Sequence, residues 1–137
     1  MKVLVIIVSY NFDPWIDRCL GSLRLSKYPI DTVVIDNGSK DQTIQRIQKD
    51  YPEIRLLPQN ENLGFGRANN IGMKIALTEG YDFVFLLNQD AWIDSNTIGK
   101  LVELSQSHPQ YGIFSPVHLT GKGDKPDPGF GHYAQIQ

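Results

Sequence analysis

Four short polar segments of this 137-residue chain carry side chains that could bind a charged ligand. They occupy residues 9–11, 36–39, 60–70 and 88–90, and each comes shortly after a stretch rich in apolar residues. Their side chains include carboxylates, amides, hydroxyls and one guanidinium group. Carboxylate and amide oxygens bind divalent cations, and guanidinium groups bind phosphate. The segments therefore indicate a site for an anionic ligand.

The segment at residues 88–90 has the chemistry of a metal site. Asn88 and Asp90 stand at positions i and i+2 directly after an apolar run. If the extended conformation continues, both side chains point the same way. Their oxygens suit Mg²⁺ or Mn²⁺, usually with a nucleotide diphosphate completing the octahedron. A cap for the following segment remains an alternative, since a single carboxylate makes a weak metal site.

The segment at residues 60–70 combines glycine with a cation. Gly64 and Gly66 bracket an aromatic residue just before a predicted helix, and Arg67 falls in the first turn of that helix. The helix dipole disfavours a cation there, whereas an anionic ligand would reverse the sign of the effect. A glycine-rich connection with a solvated arginine remains open. A dinucleotide fingerprint is excluded because Asn69 replaces its third glycine.

The segment at residues 36–39 ends a buried strand with a carboxylate. Asp36 needs a partner there, which a nucleobase N–H or a ribose hydroxyl would supply. The alternative is a strand-to-helix turn in which Gly38 supplies a positive φ. Ser39 and Gln42 predict a capping box for the next helix.

The surrounding sequence alternates between strand-like and helix-like stretches. Apolar runs predict strands at residues 2–9, 32–35, 54–57, 83–87 and 112–117. Helical spacing of apolar residues predicts helices at Ile16, Cys19, Leu20 and Leu23, at Ile44 and Ile47, at Ala68, Ile71, Ile75 and Ala76, and at Ile98, Leu101 and Val102. This alternation predicts an α/β fold with a mostly parallel sheet and helices on both faces. Ligands bind such sheets at the carboxyl ends of the strands, so the polar segments should share one rim.

The composition excludes several classes of protein. An apolar fraction of 41% with a net charge of -2 excludes a disordered chain, and the near balance of charges argues against nucleic acid as a partner. A lone Cys19 excludes a disulfide scaffold and fits the core of a protein in a reducing compartment. The longest apolar run, residues 3–8, is too short for a membrane span or a signal peptide. We therefore expect a cytoplasmic location.

In their order, the four segments resemble the nucleotide-binding half of a GT-A glycosyltransferase of the inverting family 2. The matching stretches are residues 8–11, 34–43, 60–70 and 88–90, and the resemblance covers roughly residues 2–118. Asn88-x-Asp90 stands where that family carries its D-x-D metal motif. The asparagine variant is similar to bacterial rhamnosyltransferase-like members. The resemblance implies a Rossmann-like GT-A fold, truncated in this chain.

The resemblance also implies roles for individual residues. Tyr10 would lie near the base, with Ser9 and Asn11 lining the same nucleoside pocket. The residues implied to bind the nucleotide sugar are Ser9, Tyr10, Asn11, Asp36, Gly64, Arg67, Asn70 and Asn88. Asp36 would hold the base or ribose, and Arg67 and Asn70 would lie near the ribose and diphosphate. Asp90, with Asn88, would take the metal, Mg²⁺ or Mn²⁺.

The implied reaction transfers an activated sugar, with inversion, from a UDP- or dTDP-linked donor to a glycan or lipid-linked acceptor. The metal would offset charge on the leaving diphosphate. Such a reaction fits a cytoplasmic chain at the inner face of the membrane.

Inverting chemistry also needs a general base to take the acceptor proton. In this family that carboxylate lies well beyond the metal motif, in an acceptor-binding half. The carboxylates that follow Asp90 here are Asp94, Glu103, Asp124 and Asp127. We therefore expect a nucleotide-sugar-binding domain at residues 1–119 and a loop or poorly ordered tail at residues 120–137. The chain would be a fragment that lacks the catalytic base and is inactive alone, with surface exposed for homo-oligomer formation.

Two other functions remain open. A non-catalytic nucleotide-binding or assembly module would retain the site without turnover. A sugar nucleotidyltransferase would carry a glycine-rich loop with a lysine after its first strand, and residues 9–13 contain neither glycine nor lysine.

Overall fold

The computed structural model describes residues 1–135, which form two compact units, Met1–Asn96 and the residues from Thr97 onward. The first unit contains four strands and three α-helices. In chain order these are β1 (Val3–Ser9), α1 (Ile16–Arg24), β2 (Asp31–Asp36), α2 (Thr43–Asp50), β3 (Arg55–Pro58), α3 (Phe65–Thr78) and β4 (Phe83–Leu86). A 3₁₀ turn at Asp13–Trp15 leads into α1. The second unit contains α4 (Thr97–Ser107) and α5 (Pro128–Ala134).

The four strands form one parallel sheet in the order β3-β2-β1-β4, as the sequence predicts. Ser9 pairs with Asp36, and Asp36 with Pro58, so three strands end side by side. The chain moves from β1 to β3 in one direction and then returns to place β4 on the other side of β1. This reversal creates a switch point between β1 and β4, where ligands bind open α/β sheets.

Helix α3 covers one face of the sheet. Leu4 and Ile6 of β1 pack with Val33 and Ile35 of β2 in a buried cluster. The members contributed by α3 are Ala68 and Ala76, with Ile71, Met73 and Ile75 partly buried against the cluster. Small residues on this helix let it approach the strands closely.

The opposite face of the sheet is equally buried. Val5 and Ile7 of β1 have no exposed surface. The connections through α1 and α2 run across the sheet from β1 to β3, and the connection through α3 runs back from β3 to β4. Because such crossovers are right-handed, α1 and α2 lie on the face opposite α3. The predicted apolar face of α1 is confirmed, with Ile16, Cys19, Leu20 and Leu23 all buried. Both sheet faces are therefore covered, which accounts for the apolar strand sequences.

The structure differs from the prediction in the last part of the chain. Residues 112–117 form no strand, and Ile113 is 91% exposed. The predicted tail contains α5, which begins at Pro128. Asp127 is the N-cap of this helix, and its side chain accepts a hydrogen bond from the Phe130 N–H at 3.1 Å. Glycines at two of its seven positions hid this helix in the sequence. The last two residues of the predicted tail lie outside the described residues.

Two further expectations concern the chain as a whole. The compact units divide after Asn96, whereas the predicted boundary at residue 119 concerns function and stays a prediction. No helix in the described part of the chain is long and apolar enough to cross a membrane.

Gly72 tests how closely α3 packs on β1. A Cβ at this position would lie 2.6–2.9 Å from three side-chain atoms of Ile6. We expect Gly72→Ala to lower the free energy of unfolding by about 1–2 kcal/mol. Overpacking costs about 1–3 kcal/mol, and the higher helix propensity of alanine offsets up to about 1 kcal/mol of that cost. Denaturant unfolding measures the difference. Gly66→Ala on the same helix, where the new Cβ meets nothing within 4 Å, should cause no such loss.

Candidate functional site

A buried carboxylate joins the ends of β1 and β2. Asp36 and Ser9 have no exposed surface. The Ser9 hydroxyl donates to Asp36 Oδ1 at 2.8 Å, and the Ser39 N–H donates to Asp36 Oδ2 at 2.9 Å. The Ser39 hydroxyl also donates to Asp36 Oδ1. Both carboxylate oxygens are therefore bonded to the chain itself, which fastens two predicted segments together.

Asn11 extends this group of residues, which we call the Asp36 cluster (Ser9, Asn11, Asp36 and Ser39). The Asn11 N–H donates to Ser39 Oγ at 2.8 Å, and Asn11 Oδ1 accepts from the Lys40 N–H at 3.0 Å. Asn11 has a φ of 49°, in the left-handed region that asparagine tolerates better than most residues. Hydrogen bonds on both its backbone and its side chain maintain this conformation.

The predicted capping box at the start of α2 is wrong. Gln42 is the N-cap and makes no side-chain cap bond, and the Ser39 hydroxyl belongs to the Asp36 cluster. Asp41 takes over this role, because its Oδ1 accepts from the Thr43 N–H at 3.0 Å. Burial alone would raise the pKa of Asp41, but hydrogen bonds from Thr43 and from the backbone of Asp13 and Asp41 together outweigh it and leave the pKa lowered. The helix start thus holds an ionised carboxylate.

Residues 88–91 form a turn, so the expected extended conformation does not continue past β4. The Ala91 N–H donates to the Asn88 carbonyl at 3.1 Å. Asn88 and Asp90 are exposed and Gln89 is half-buried. The Gln89 side chain contacts the backbone of Tyr10, whose own side chain is 43% exposed. The metal-motif segment therefore lies beside the end of β1.

The loop after β4 also lies along α1, a contact that the sequence did not reveal. The Ser22 hydroxyl accepts from the Ile93 N–H at 3.2 Å, and the Arg18 guanidinium lies 3.5 Å above the Trp92 ring. The Cys19 thiol approaches the Asn88 carbonyl at 3.8 Å. Burial, with a contribution from the nearby charge of Asp90, raises the pKa of Cys19 to about 12. Cys19 is therefore an unreactive core residue, as predicted.

Asn37 joins the end of β2 to the glycine-rich segment. It is 3% exposed, and its Oδ1 accepts from the Leu63 N–H at 3.3 Å while its Nδ2 donates to the Gly64 carbonyl at 3.4 Å. Gly64 has a φ of 82°, a conformation that favours glycine. Asn37 was not among the predicted site residues, because only the structure shows that its amide is buried and needs partners.

Arg67 and Asn70 lie near the start of α3. Both are exposed, and Arg67 falls in the first turn. Arg67 has no hydrogen-bond or ion-pair partner within residues 1–135. The neighbouring Asn69 instead turns inward, is 7% exposed and donates to the Phe65 carbonyl at 3.1 Å. Arg67 is thus available to an external anion.

The structure brings the predicted residues to one rim in three linked groups. The Asp36 cluster holds Ser9, Asn11 and Asp36, the β4 loop carries Asn88 and Asp90 beside Tyr10, and Asn37 connects Gly64 to the cluster. Among residues 1–135, no three His, Cys, Asp or Glu side chains lie close enough together to hold a metal ion. Asp90 and Asn88 offer the oxygen ligands that Mg²⁺ or Mn²⁺ accepts, so they fit such an ion if other oxygens complete its shell.

Comparison with known proteins identifies the family. The family model for glycosyl transferase family 2 matches residues 4–130. The chain belongs to this family. It is 33% identical over 122 residues to the N-acetylglucosaminyl-diphospho-decaprenol L-rhamnosyltransferase of Mycobacterium tuberculosis, a match that covers 82% of this chain and 40% of that protein. The resemblance predicted from the sequence is confirmed.

Solved structures of glycosyltransferases share the fold of this family 2 chain. Staphylococcus aureus TarS 1-349 in complex with UDP-GlcNAc matches with a TM-score of 0.71 and 28% identity, over 80% of this chain and 32% of that one. The mannosyltransferase PcManGT of Pyrobaculum calidifontis, in complex with GDP-Man and Mn²⁺, matches with a TM-score of 0.66 and 26% identity, over 76% of this chain and 32% of that one. The predicted Rossmann-like GT-A fold is therefore confirmed.

The Asp36 cluster predicts a specific loss of stability. In Asp36→Asn the amide oxygen can still accept from the hydroxyls, but the amide NH₂ would face the Ser39 N–H and leave it unpaired. We expect the free energy of unfolding to fall by about 1–3 kcal/mol, measured by denaturant titration. Asp31→Asn, at the exposed start of the same strand, keeps an acceptor for the Tyr81 hydroxyl and is the control. Equal losses in the two variants would contradict the role given to the cluster.

Proposed function

We propose that this chain binds the nucleotide-diphosphate sugar donor of an inverting family 2 glycosyltransferase. The observation that carries the proposal is the gathering of the four predicted segments at the carboxyl ends of the strands, around the switch point between β1 and β4. The structures with UDP-GlcNAc and GDP-Man, both over 25% identical, support a donor of this class. The asparagine of Asn88-x-Asp90 and the mycobacterial relative favour a deoxysugar donor such as rhamnose linked to UDP or dTDP.

In this proposal the end of β1 and the two residues after it form the nucleoside pocket. Tyr10, which is 43% exposed, lies next to the base, and Asn11 lines the pocket. Ser9 has no exposed surface and supports the wall from behind through its bond to Asp36. Asp36 contacts only the chain in this structure. A direct bond from Asp36 to base or ribose stays a prediction, and it requires a serine hydroxyl to turn away from the carboxylate.

The diphosphate would lie between the β4 loop and the start of α3. Gly64 and Asn70 would border it, and the Arg67 guanidinium would neutralise part of its charge. Asp90 and Asn88 would hold Mg²⁺ or Mn²⁺. Bound there, the ion would offset negative charge on the leaving diphosphate.

Sugar transfer itself requires a general base for the acceptor hydroxyl, and we propose that this chain does not supply it. Of the carboxylates after the metal motif, Asp94 accepts from the Asn96 N–H, Asp124 from the Thr120 hydroxyl and Asp127 from the Phe130 N–H. The chain spans 40% of the mycobacterial relative and about a third of the two solved structures. On this view donor binding occurs in this chain, and the glycan or lipid-linked acceptor is bound elsewhere. The reaction would take place in the cytoplasm or at the inner face of the membrane.

One observation favours the alternative, a non-catalytic nucleotide-binding or assembly module. Large apolar side chains are exposed in the second unit, with Ile113 91% and Tyr133 89% exposed. Such surface fits association with another polypeptide, including a second copy. Sedimentation over a range of concentrations tests this alternative, because assembly predicts a concentration-dependent mass and a strictly monomeric profile would count against it.

Nucleotide binding is tested by thermal unfolding. We expect UDP, dTDP or GDP with Mn²⁺ to raise the midpoint, since a ligand at 100 times its Kd stabilises by about 2.7 kcal/mol. Asp90→Asn should abolish the part of the shift that depends on Mn²⁺. Asp82→Asn changes a carboxylate at the other end of β4 and should leave the shift intact. No shift with any nucleotide diphosphate would overturn the proposal.

Arg67 gives a prediction in which stability and binding change in opposite directions. Arg67→Gln should leave the free energy of unfolding unchanged or raise it by a few tenths of a kcal/mol, because the helix dipole disfavours a cation in the first turn. The same change should weaken nucleotide diphosphate binding about tenfold, since a charge-assisted hydrogen bond is lost. Isothermal titration measures the affinity. Lys74→Gln, an exposed cation farther along the same helix, is the matched control, and equal effects of both variants would contradict the prediction.

A further inference from the structure

The side chain of Gln89 pairs with both backbone groups of Tyr10. Gln89 Oε1 accepts from the Tyr10 N–H at 2.9 Å, and Gln89 Nε2 donates to the Tyr10 carbonyl at 3.2 Å. A primary amide is the side-chain group that presents an acceptor and a donor side by side in this way. We call this contact the Gln89–Tyr10 amide pair.

The amide pair stands where the β1–β4 ladder has ended. The last strand pair is Ile6 with Leu86, and the last ladder bond runs from the Leu87 N–H to the Ile6 carbonyl at 3.1 Å. Beyond it, the Ser9 carbonyl accepts from the Asn37 N–H on the β2 side. Because successive residues of a strand bond to opposite sides, the Tyr10 backbone faces the β4 side, where no strand remains to pair with it. The Gln89 side chain supplies the missing partner.

This position lies at the switch point between β1 and β4. Gln89 is the middle residue of Asn88-x-Asp90, and both of its neighbours are exposed while it is half-buried. Its bonds therefore fix the turn of residues 88–91 against the end of β1. The distance between the Tyr10 side chain and the two flanking oxygen-bearing side chains depends on this anchoring.

We propose that Gln89 is a positioning residue of the nucleotide-sugar site, which sets Tyr10 at a fixed distance from Asn88 and Asp90. The inference rests on the proposed function, because the ligand is expected to contact Tyr10 at its base and Asp90 through the metal. Gln89 acts through these residues and does not itself touch the donor. Its contribution should therefore appear in affinity for a ligand that spans both ends of the site.

Ligands of two lengths separate positioning from bulk stability. UDP or GDP with Mn²⁺ is expected to span the site from Tyr10 to Asp90, whereas a nucleoside monophosphate without metal reaches only the Tyr10 end. Gln89→Met removes both polar groups of the amide pair and keeps a side chain of similar length. It should therefore weaken binding of the ligand that spans both ends and leave binding of the shorter ligand nearly unchanged.

The experiment measures the Kd of UDP or GDP, whichever shifts the wild type more, with Mn²⁺, and the Kd of the matching nucleoside monophosphate without metal. We expect Gln89→Met to bind the diphosphate about tenfold more weakly than wild type, and the monophosphate within about twofold of wild type. Gln59→Met is the control, since the Gln59 amide donates to the Leu57 carbonyl at 3.1 Å at the end of β3.

The outcomes separate the two proposals. Equal affinities of wild type and Gln89→Met for the diphosphate would overturn the role of Gln89 and leave donor binding intact. Equal losses for the diphosphate and the monophosphate in Gln89→Met, or an equal loss for the diphosphate in Gln59→Met, would show a merely structural effect and would also overturn it. Wild type that binds no nucleotide diphosphate would overturn the proposed function and this inference together. Thermal unfolding of each variant verifies that it is folded.

Discussion

The buried carboxylate of Asp36 is the interaction on which the rim of the sheet depends. A carboxylate with no exposed surface is costly unless every lone pair meets a donor, and here the Ser9 and Ser39 hydroxyls and the Ser39 N–H satisfy it. Meeting this requirement draws the loop after β2 towards the end of β1. Asn11 then takes its left-handed conformation because Ser39 and Lys40 bond to both its backbone and its side chain.

The β4 side of the rim is organised by contacts without a buried charge. The loop of residues 88–95 rests on α1 through Ser22 and the stacked Arg18 and Trp92, and it meets β1 through Gln89. These residues were absent from the sequence-based site because none is a candidate ligand. They nevertheless decide where Asp90 stands, since an exposed carboxylate in a turn has no fixed position of its own. The position of the proposed metal-binding segment thus depends on residues that are not expected to touch the ligand.

The proposed donor, a diphosphate with a metal ion, would account for two charges at the rim. Asp90 supplies a carboxylate without a second acidic neighbour in its motif, and Arg67 supplies a cation at a helix start where the dipole is unfavourable to it. The position of Arg67 does not favour the empty protein, whereas the exposed Asp90 costs it nothing. An anion bound at the helix start would make the position of Arg67 favourable, which is why the proposed ligand explains a residue that stability does not.

The sequence by itself determined the parallel sheet and the buried faces of three helices, because apolar periodicity is a local property. It also determined the four segments at the rim, because the carboxyl ends of parallel strands must share one edge. It misplaced the cap of α2 and a strand at residues 112–117, and it missed α5. Only the tertiary structure decided that Ser39 serves Asp36 instead of α2, and that Gln89 replaces a strand beside Tyr10. The physical reason is that a polar side chain bonds to whichever group the fold leaves unsatisfied. Ser39 bonds to the buried carboxylate of Asp36, which also draws in Ser9 from 27 residues away, and Gln89 bonds to the Tyr10 backbone 79 residues away.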